Sequence, residues 1–163
     1  MQRKSLSAEV PDDSAHRHPL GATMKILLAI DGSPVTKRML SYVAAHDELF
    51  GAEHDYTLIT VVAPVPGYAA RFLEQKTLDG YYREEAEQVF KPVRAFAEMQ
   101  HWKVRLIHAH GHAAEVIAAT ADAERSDLLV MGTHGHSSLG NVVMGSVATG
   151  VLARCKRPVL LIP

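Results

Sequence analysis

The sequence predicts an α/β fold, a mainly parallel sheet with helices on both faces. Three observations carry the prediction. Short runs rich in apolar or β-branched residues recur at 25–30, 56–62, 104–110, 127–131 and 158–162, as in strands covered on both faces. The segments between most of them place apolar residues at helical spacing. Strand and helix alternate, which implies βαβ units joined by right-handed crossovers.

Residues 1–23 are polar, with Pro11, Pro19, Gly21 and scattered charge. They lack the apolar centre of a secretory signal, and Glu9, Asp12 and Asp13 argue against a transit peptide. A terminal tail is expected there, followed by one folded domain over 24–163. The run K-I-L-L-A-I at 25–30 is the first strand. Ser33 can cap the next helix and Pro34 suits its first turn. Met39, Val43 and Phe50 share a face, so one helix is expected as far as Gly51, a C-terminal stop. Y-T-L-I-T-V-V at 56–62 is the second strand, broken by A-P-V-P-G. A helical zone spans 70–99, with Tyr82, Ala86, Val89, Val93 and Phe96 in one stripe and a possible Glu87–Lys91 pair. Pro92 should split or bend it, because an interior proline costs about 3 kcal/mol. Tyr81, Tyr82, Phe90 and Phe96 read as packing residues. The third strand is 104–110, the third helix 113–124 and the fourth strand 127–131. A last helix over 145–154 leads to the strand P-V-L-L-I at 158–162. Cys155 reads as a buried, inert thiol.

Composition limits the function. A chain of 163 residues can form one domain with a full core. Its net charge of −1 sets up no long-range field toward nucleic acid or acidic membranes. No apolar run approaches the roughly 18 residues that span a bilayer. Neither nucleic acid nor a membrane is therefore an expected partner. The single cysteine excludes an internal disulfide framework and fits a reducing compartment, so the cytoplasm is the expected location.

The chemistry concentrates between Val130 and Val147, V-M-G-T-H-G-H-S-S-L-G-N-V-V-M-G-S-V. A strand that includes Met131 feeds a glycine-rich loop, which feeds a helix. Gly132 and Gly135 stand three apart, and after nine residues come Gly145 and Ser146. Glycines there can take positive φ or let the backbone approach a ligand. Free N–H groups and the helix dipole favour an anion. The loop is neither of the two best-known phosphate motifs, G-x-x-x-x-G-K-[ST] and G-x-G-x-x-G. Its small, hydroxyl and imidazole side chains nevertheless suit phosphate oxygens. Asp31 closes the first strand, where ligands bind in open α/β sheets. Two roles stay open for it, accepting from ribose hydroxyls or capping its own turn.

His108, His110 and His112 alternate and could hold zinc or nickel. Gly111 interrupts them, and no acidic or cysteine ligand is nearby in sequence, so no metal centre is expected. His134 could direct a ring N–H at a phosphate, which would make affinity depend on pH.

The spacing Gly132-x2-Gly135-x9-Gly145-Ser146 resembles the nucleotide-binding signature of the universal stress protein family, in its ATP-binding branch. Asp31-Gly32-Ser33, Asp127-Leu128-Leu129-Val130-Met131-Gly132 and Arg157-Pro158-Val159-Leu160-Leu161-Ile162 extend the resemblance over 24–163. It implies an open, doubly wound, five-stranded parallel sheet of order 3-2-1-4-5, with the crevice between strands one and four. It further implies that Gly132, Gly135, Gly145, Ser146 and Val147 hold phosphates, with His134 and His136 as contacts in the loop. Asp31 would meet the ribose. Ala29 and Val61 would line the adenine pocket, with Met131 beside the loop. Many members carry His-Val where this chain has Thr60-Val61, which puts the adenine contact residue in doubt. ATP is the implied ligand, with AMP or cyclic AMP as alternatives. Mg2+ or Mn2+ would bridge the phosphates, held by few protein groups. Members usually form homodimers through the last strand, and an apolar edge strand at 158–162 favours a partner on physical grounds as well.

Three functions remain open. The chain could be an ATP-binding stress or signalling module acting on a downstream protein. It could be a weak ATPase, or modify itself at Ser137, Ser138 or Ser146. It could be a nucleotide-free dimer. The loop has no lysine, arginine or acidic residue to stabilise hydrolysis. No catalytic residue is therefore assigned.

Overall fold

The computed structural model describes residues 23–136 and 144–163. Within them the chain runs β1 (Lys25–Ala29), α1 (Pro34–Ala45), α2 (Asp47–Phe50), β2 (Asp55–Val62), α3 (Gly67–Ala70) and α4 (Gln75–Met99). It continues through β3 (Val104–His110), α5 (Ala113–Ala123), β4 (Leu128–Gly132), α6 (Ser146–Leu152) and β5 (Val159–Ile162). The five strands are parallel and ordered β3-β2-β1-β4-β5. Apart from Thr23, the expected tail lies outside the described residues, as do Ser137 and Ser138.

Central β1 is flanked by β2 and β4, with Ala29 level with Ile59 on one side and Met131 on the other. Its alternate residues feed two cores. Ile26 and Leu28 face Met39, Val43, Phe90 and Val93 from α1 and α4. Leu27 and Ala29 face Ile117, Ala121, Ala148 and Val151 from α5 and α6. This is why the run at 25–30 is apolar throughout. No helix among the described residues is long and apolar enough to cross a membrane.

Several local expectations are corrected. The helix after Ser33 ends at Ala45, and α2 is separate. His46 Nδ1 lies 2.8 Å from the Tyr42 carbonyl and occupies the acceptor that a continuing helix would give to the His46 backbone N–H. Gly51 has extended backbone, φ −63° and ψ 168°, so it is no left-handed stop. Pro92 does not split α4, which runs unbroken through it. The proline and Gln88 are both exposed, so the carbonyl that loses its partner can meet water. Glu87 pairs bidentately with Arg94 at 2.8 and 3.2 Å rather than with Lys91. Tyr82 and Phe90 are buried, but Tyr81 is exposed. Cys155 is half-buried, its Sγ 3.8 Å from the Arg157 carbonyl.

Candidate functional site

At the carboxyl end of the sheet β1 continues into α1 on one side, while β4 continues into the glycine loop on the other. That divergence opens a crevice. A cavity of about 230 Å³ fills it. Ala29, Ile30 and Asp31 come from the end of β1, and Val61 from β2. Met131 to His136 come from the end of β4 and the loop behind it. Gly145 to Ala148 come from the start of α6, and Ala113 and Ile117 from α5. The structure thus gathers all eleven sequence-predicted residues, Ala29, Asp31, Val61, Met131, Gly132, His134, Gly135, His136, Gly145, Ser146 and Val147, on the walls of one space. It adds Ile30, Ala113, Ile117, Thr133 and Ala148, which sequence reasoning missed. Ile117 was visible only as a member of an apolar stripe. Thr133 was visible only as a loop residue between chosen neighbours.

Asp31 is fixed by its own turn. Its Oδ1 accepts from Ser33 N–H at 3.0 Å and from the Thr36 hydroxyl at 2.7 Å. Burial pushes its carboxyl up, but the hydrogen bonds from Ser33 and Thr36 and the nearby His136 outweigh this, and the net shift is downward. Both of these bonds fall on Oδ1, so the turn-capping role and a ligand role for Oδ2 are compatible. Ser33 Oγ also accepts from Thr36 N–H at 3.3 Å, with Pro34 in the first turn of α1.

The described loop glycines, Gly132, Gly135 and Gly145, serve close approach rather than positive φ. Gly32 and Gly111 are the described glycines with positive φ. A Cβ on Gly132 would stand 2.5 Å from Val35 Cγ1, and one on Gly135 would stand 2.5 Å from Asp31 Oδ2. A Cβ on Gly145 would stand 3.1 Å from the Thr133 carbonyl oxygen. The loop is held at both ends. Thr133 N–H donates to Ile162 O, and Gly145 N–H to Thr133 O, each at 2.8 Å. His136 Nε2–H donates to the Asp31 carbonyl at 2.7 Å. That bond commits one ring nitrogen to the scaffold.

At the start of α6 the first bond to the Gly145 carbonyl comes from Thr149 N–H, at 3.0 Å. The N–H groups of the preceding first turn therefore lack intrahelical acceptors. The exposed Ser146 stands among them on the cavity wall. The arrangement offers apolar surface from Ala29, Val61, Ala113 and Ile117, one carboxylate oxygen, and backbone and hydroxyl donors. Among the described residues no three His, Cys, Asp or Glu side chains gather into a group that could hold a metal ion. His108 and His110 lie on β3, where His110 stacks on Tyr82 at 4.3 Å. Gly111, at φ +137°, turns the chain before His112.

The sequence profile described as the universal stress protein family matches residues 23–163. The chain belongs to that family. A universal stress protein of Thermus aquaticus is 33% identical over 137 residues, covering 84% of this chain and 96% of its own. The solved structure of Methanocaldococcus jannaschii MJ0577, also a universal stress protein, superposes with a TM-score of 0.72 at 27% identity. That match covers 85% of this chain and 94% of the other. Universal stress protein structures solved with cAMP, with AMP from Arabidopsis thaliana, and with dAMP from Archaeoglobus fulgidus share the fold. They align at 22, 15 and 19% identity with TM-scores of 0.55, 0.61 and 0.59, over 87, 85 and 86% of this chain and 98, 90 and 98% of theirs.

Proposed function

We propose that this universal stress protein is an adenine-nucleotide-binding module of stress response or signalling. The observation that carries the reading is the convergence of Asp31, Val61, the glycine loop and the start of α6 on one cavity at the switch point of the sheet. The nucleotides held by its fold neighbours support it.

In this reading adenine lies against Ala29 and Val61, and Asp31 Oδ2 accepts from the ribose. Phosphate oxygens meet the N–H groups of Ser146 and Val147 and the Ser146 hydroxyl, while the Gly145 N–H stays on the Thr133 carbonyl. ATP, AMP and cyclic AMP are the candidate ligands. Mg2+ or Mn2+ would be carried by the phosphates and their waters. Binding, with at most slow hydrolysis or self-phosphorylation, is the function, because the loop sequence has no group to stabilise a transferring phosphoryl. Apolar β5 at the sheet edge is the proposed homodimer contact, and the cytoplasm the proposed location.

Calorimetric titration with adenine nucleotides tests the reading. Saturable micromolar binding that is lost in Asp31→Ala and Ser146→Ala supports it. Silence towards every nucleotide, after removal of any co-purified ligand, replaces it with a nucleotide-free dimer. Multiple-turnover phosphate release abolished by the same substitutions would make the protein an enzyme.

A further inference from the structure

The titratable side chains on the described cavity wall are Asp31, His134 and His136. Residues 137–143 are S-S-L-G-N-V-V and add no charge. From Gly132 to Val147 there is therefore neither lysine nor arginine. The first cation beyond the loop is Arg154. It lies after the end of α6, its Nη1 on the Gly150 carbonyl and its Nη2 3.9 Å from Glu115. On α1, Arg38 Nε donates to the Pro163 carbonyl. Neither arginine lines the cavity, nor does Lys37 on α1. His136 has already given Nε2–H to Asp31 O, and Thr133 Oγ1 lies 3.0 Å from His134 Nδ1. Among the described wall residues Asp31 is the one carboxylate, and no lysine or arginine stands opposite it.

We infer that the cavity selects a nucleoside monophosphate, linear or cyclic, over a triphosphate. The inference rests on the nucleotide reading and deepens it. A monophosphate asks the site for a few hydrogen bonds, which the N–H groups of Ser146 and Val147 and the Ser146 hydroxyl can give. A triphosphate brings two more charged groups into a partly desolvated space with no permanent cation to pair them. It also places them within reach of the Asp31 carboxylate. At separations of several ångströms and intermediate dielectric, each added charge should weaken binding about fivefold. A divalent ion travelling with the triphosphate offsets part of that loss. Asp31 and the uncharged loop are thus the determinants of ligand charge.

The test is calorimetry on the whole chain with AMP, cyclic AMP, ADP and ATP, first in EDTA at pH 8 and then with Mg2+. In EDTA, AMP or cyclic AMP should bind at least about tenfold tighter than ATP, with ADP between. Mg2+ should narrow the gap. His136→Arg, which adds a permanent cation to the wall, should narrow it several-fold in EDTA. His136→Gln, which keeps an N–H donor without charge, should not. Metal-free ATP binding as tightly as AMP overturns the inference while the nucleotide site stands. An undiminished gap in a His136→Arg variant with an unchanged melting temperature also overturns it. Failure of all four nucleotides is a distinct result, and it removes the functional reading itself.

Discussion

Gly135→Ala is the sharpest test of how the cavity is built. The new methyl group would lie 2.5 Å from Asp31 Oδ2, about an ångström inside contact distance. The end of a side chain usually yields cheaply, but this one is tethered through Oδ1 to Ser33 N–H and the Thr36 hydroxyl. If the carboxylate turns away, those bonds are strained or lost, and a hydrogen bond to a charged group is worth about 1.5–3 kcal/mol. If the loop lifts instead, the bond from His136 to Asp31 O is strained. Either route should destabilise the protein by about 1–3 kcal/mol and displace the group assigned to the ribose. Without the clash, alanine for glycine would be neutral or stabilising by about 0.4–1 kcal/mol. The two cases differ in sign. Urea unfolding gives the stability and calorimetry with AMP gives the affinity. A variant as stable as the parent that binds AMP equally well would refute the placement of Asp31 against the loop.

Other outcomes follow from the same structure. Asp31 has a folded-state pKa below its ordinary value, so its stabilisation is complete above the unfolded pKa and is lost as pH falls through the folded one. Asp31→Asn should therefore flatten the acid limb of a stability–pH curve, and an unchanged limb would count against the hydrogen bonds to its carboxylate. His101 and Arg125 follow α4 and α5 with φ of 58° and 53°. Each sits in a helix-ending turn closed by Trp102 N–H to Ala97 O or Ser126 N–H to Ala121 O, at 3.0 Å. Glycine at either position should raise stability by up to about 1 kcal/mol, read as a higher Tm. Tyr56 is buried and its hydroxyl reaches the carbonyls of Phe50 at 2.5 Å and Gly51 at 3.2 Å. Tyr56→Phe should cost about 1–3 kcal/mol in urea unfolding, and a neutral result would mean that water replaces the hydroxyl.

The fold was legible because period and punctuation agreed. Apolar runs, Ser33-Pro34 before a helix and Gly111 after β3 each have a local physical meaning, and the resemblance supplied the strand order. The cavity wall was legible where chemistry marks it, at Asp31, the glycines and Ser146. Ala113 and Ile117 escaped notice because they carry no chemistry of their own. They reach the wall only because α5 packs beside β2 and α6, a tertiary relation that no local window contains. The turn at His46 escaped for a different reason, since helix propensity does not register a ring nitrogen competing for the helix's own carbonyl. Glu87 chose Arg94 over Lys91 through the planar fork that matches a carboxylate. Pro92 does not break α4 because the packing of Tyr82, Ala86, Phe90, Val93 and Ala97 on both sides of it holds the helix together.

The central position of β1 also sets the order in which the protein can come into being. Its backbone closes onto residues made far later: Lys25 N–H donates to the Asp127 carboxylate, 102 positions away, and Ile26 pairs with Leu128. Contacts of such long sequence separation form slowly. On the ribosome about the first two-thirds of the chain can pair β1 with β2 and β2 with β3, yet the flank of β1 that awaits β4 stays open until the last third has emerged. The crevice is among the last features to exist, because Gly132 and Gly145 lie in that final third. A ligand that fills it would therefore act only on finished molecules, drawing the folding equilibrium forward after synthesis rather than guiding its early steps.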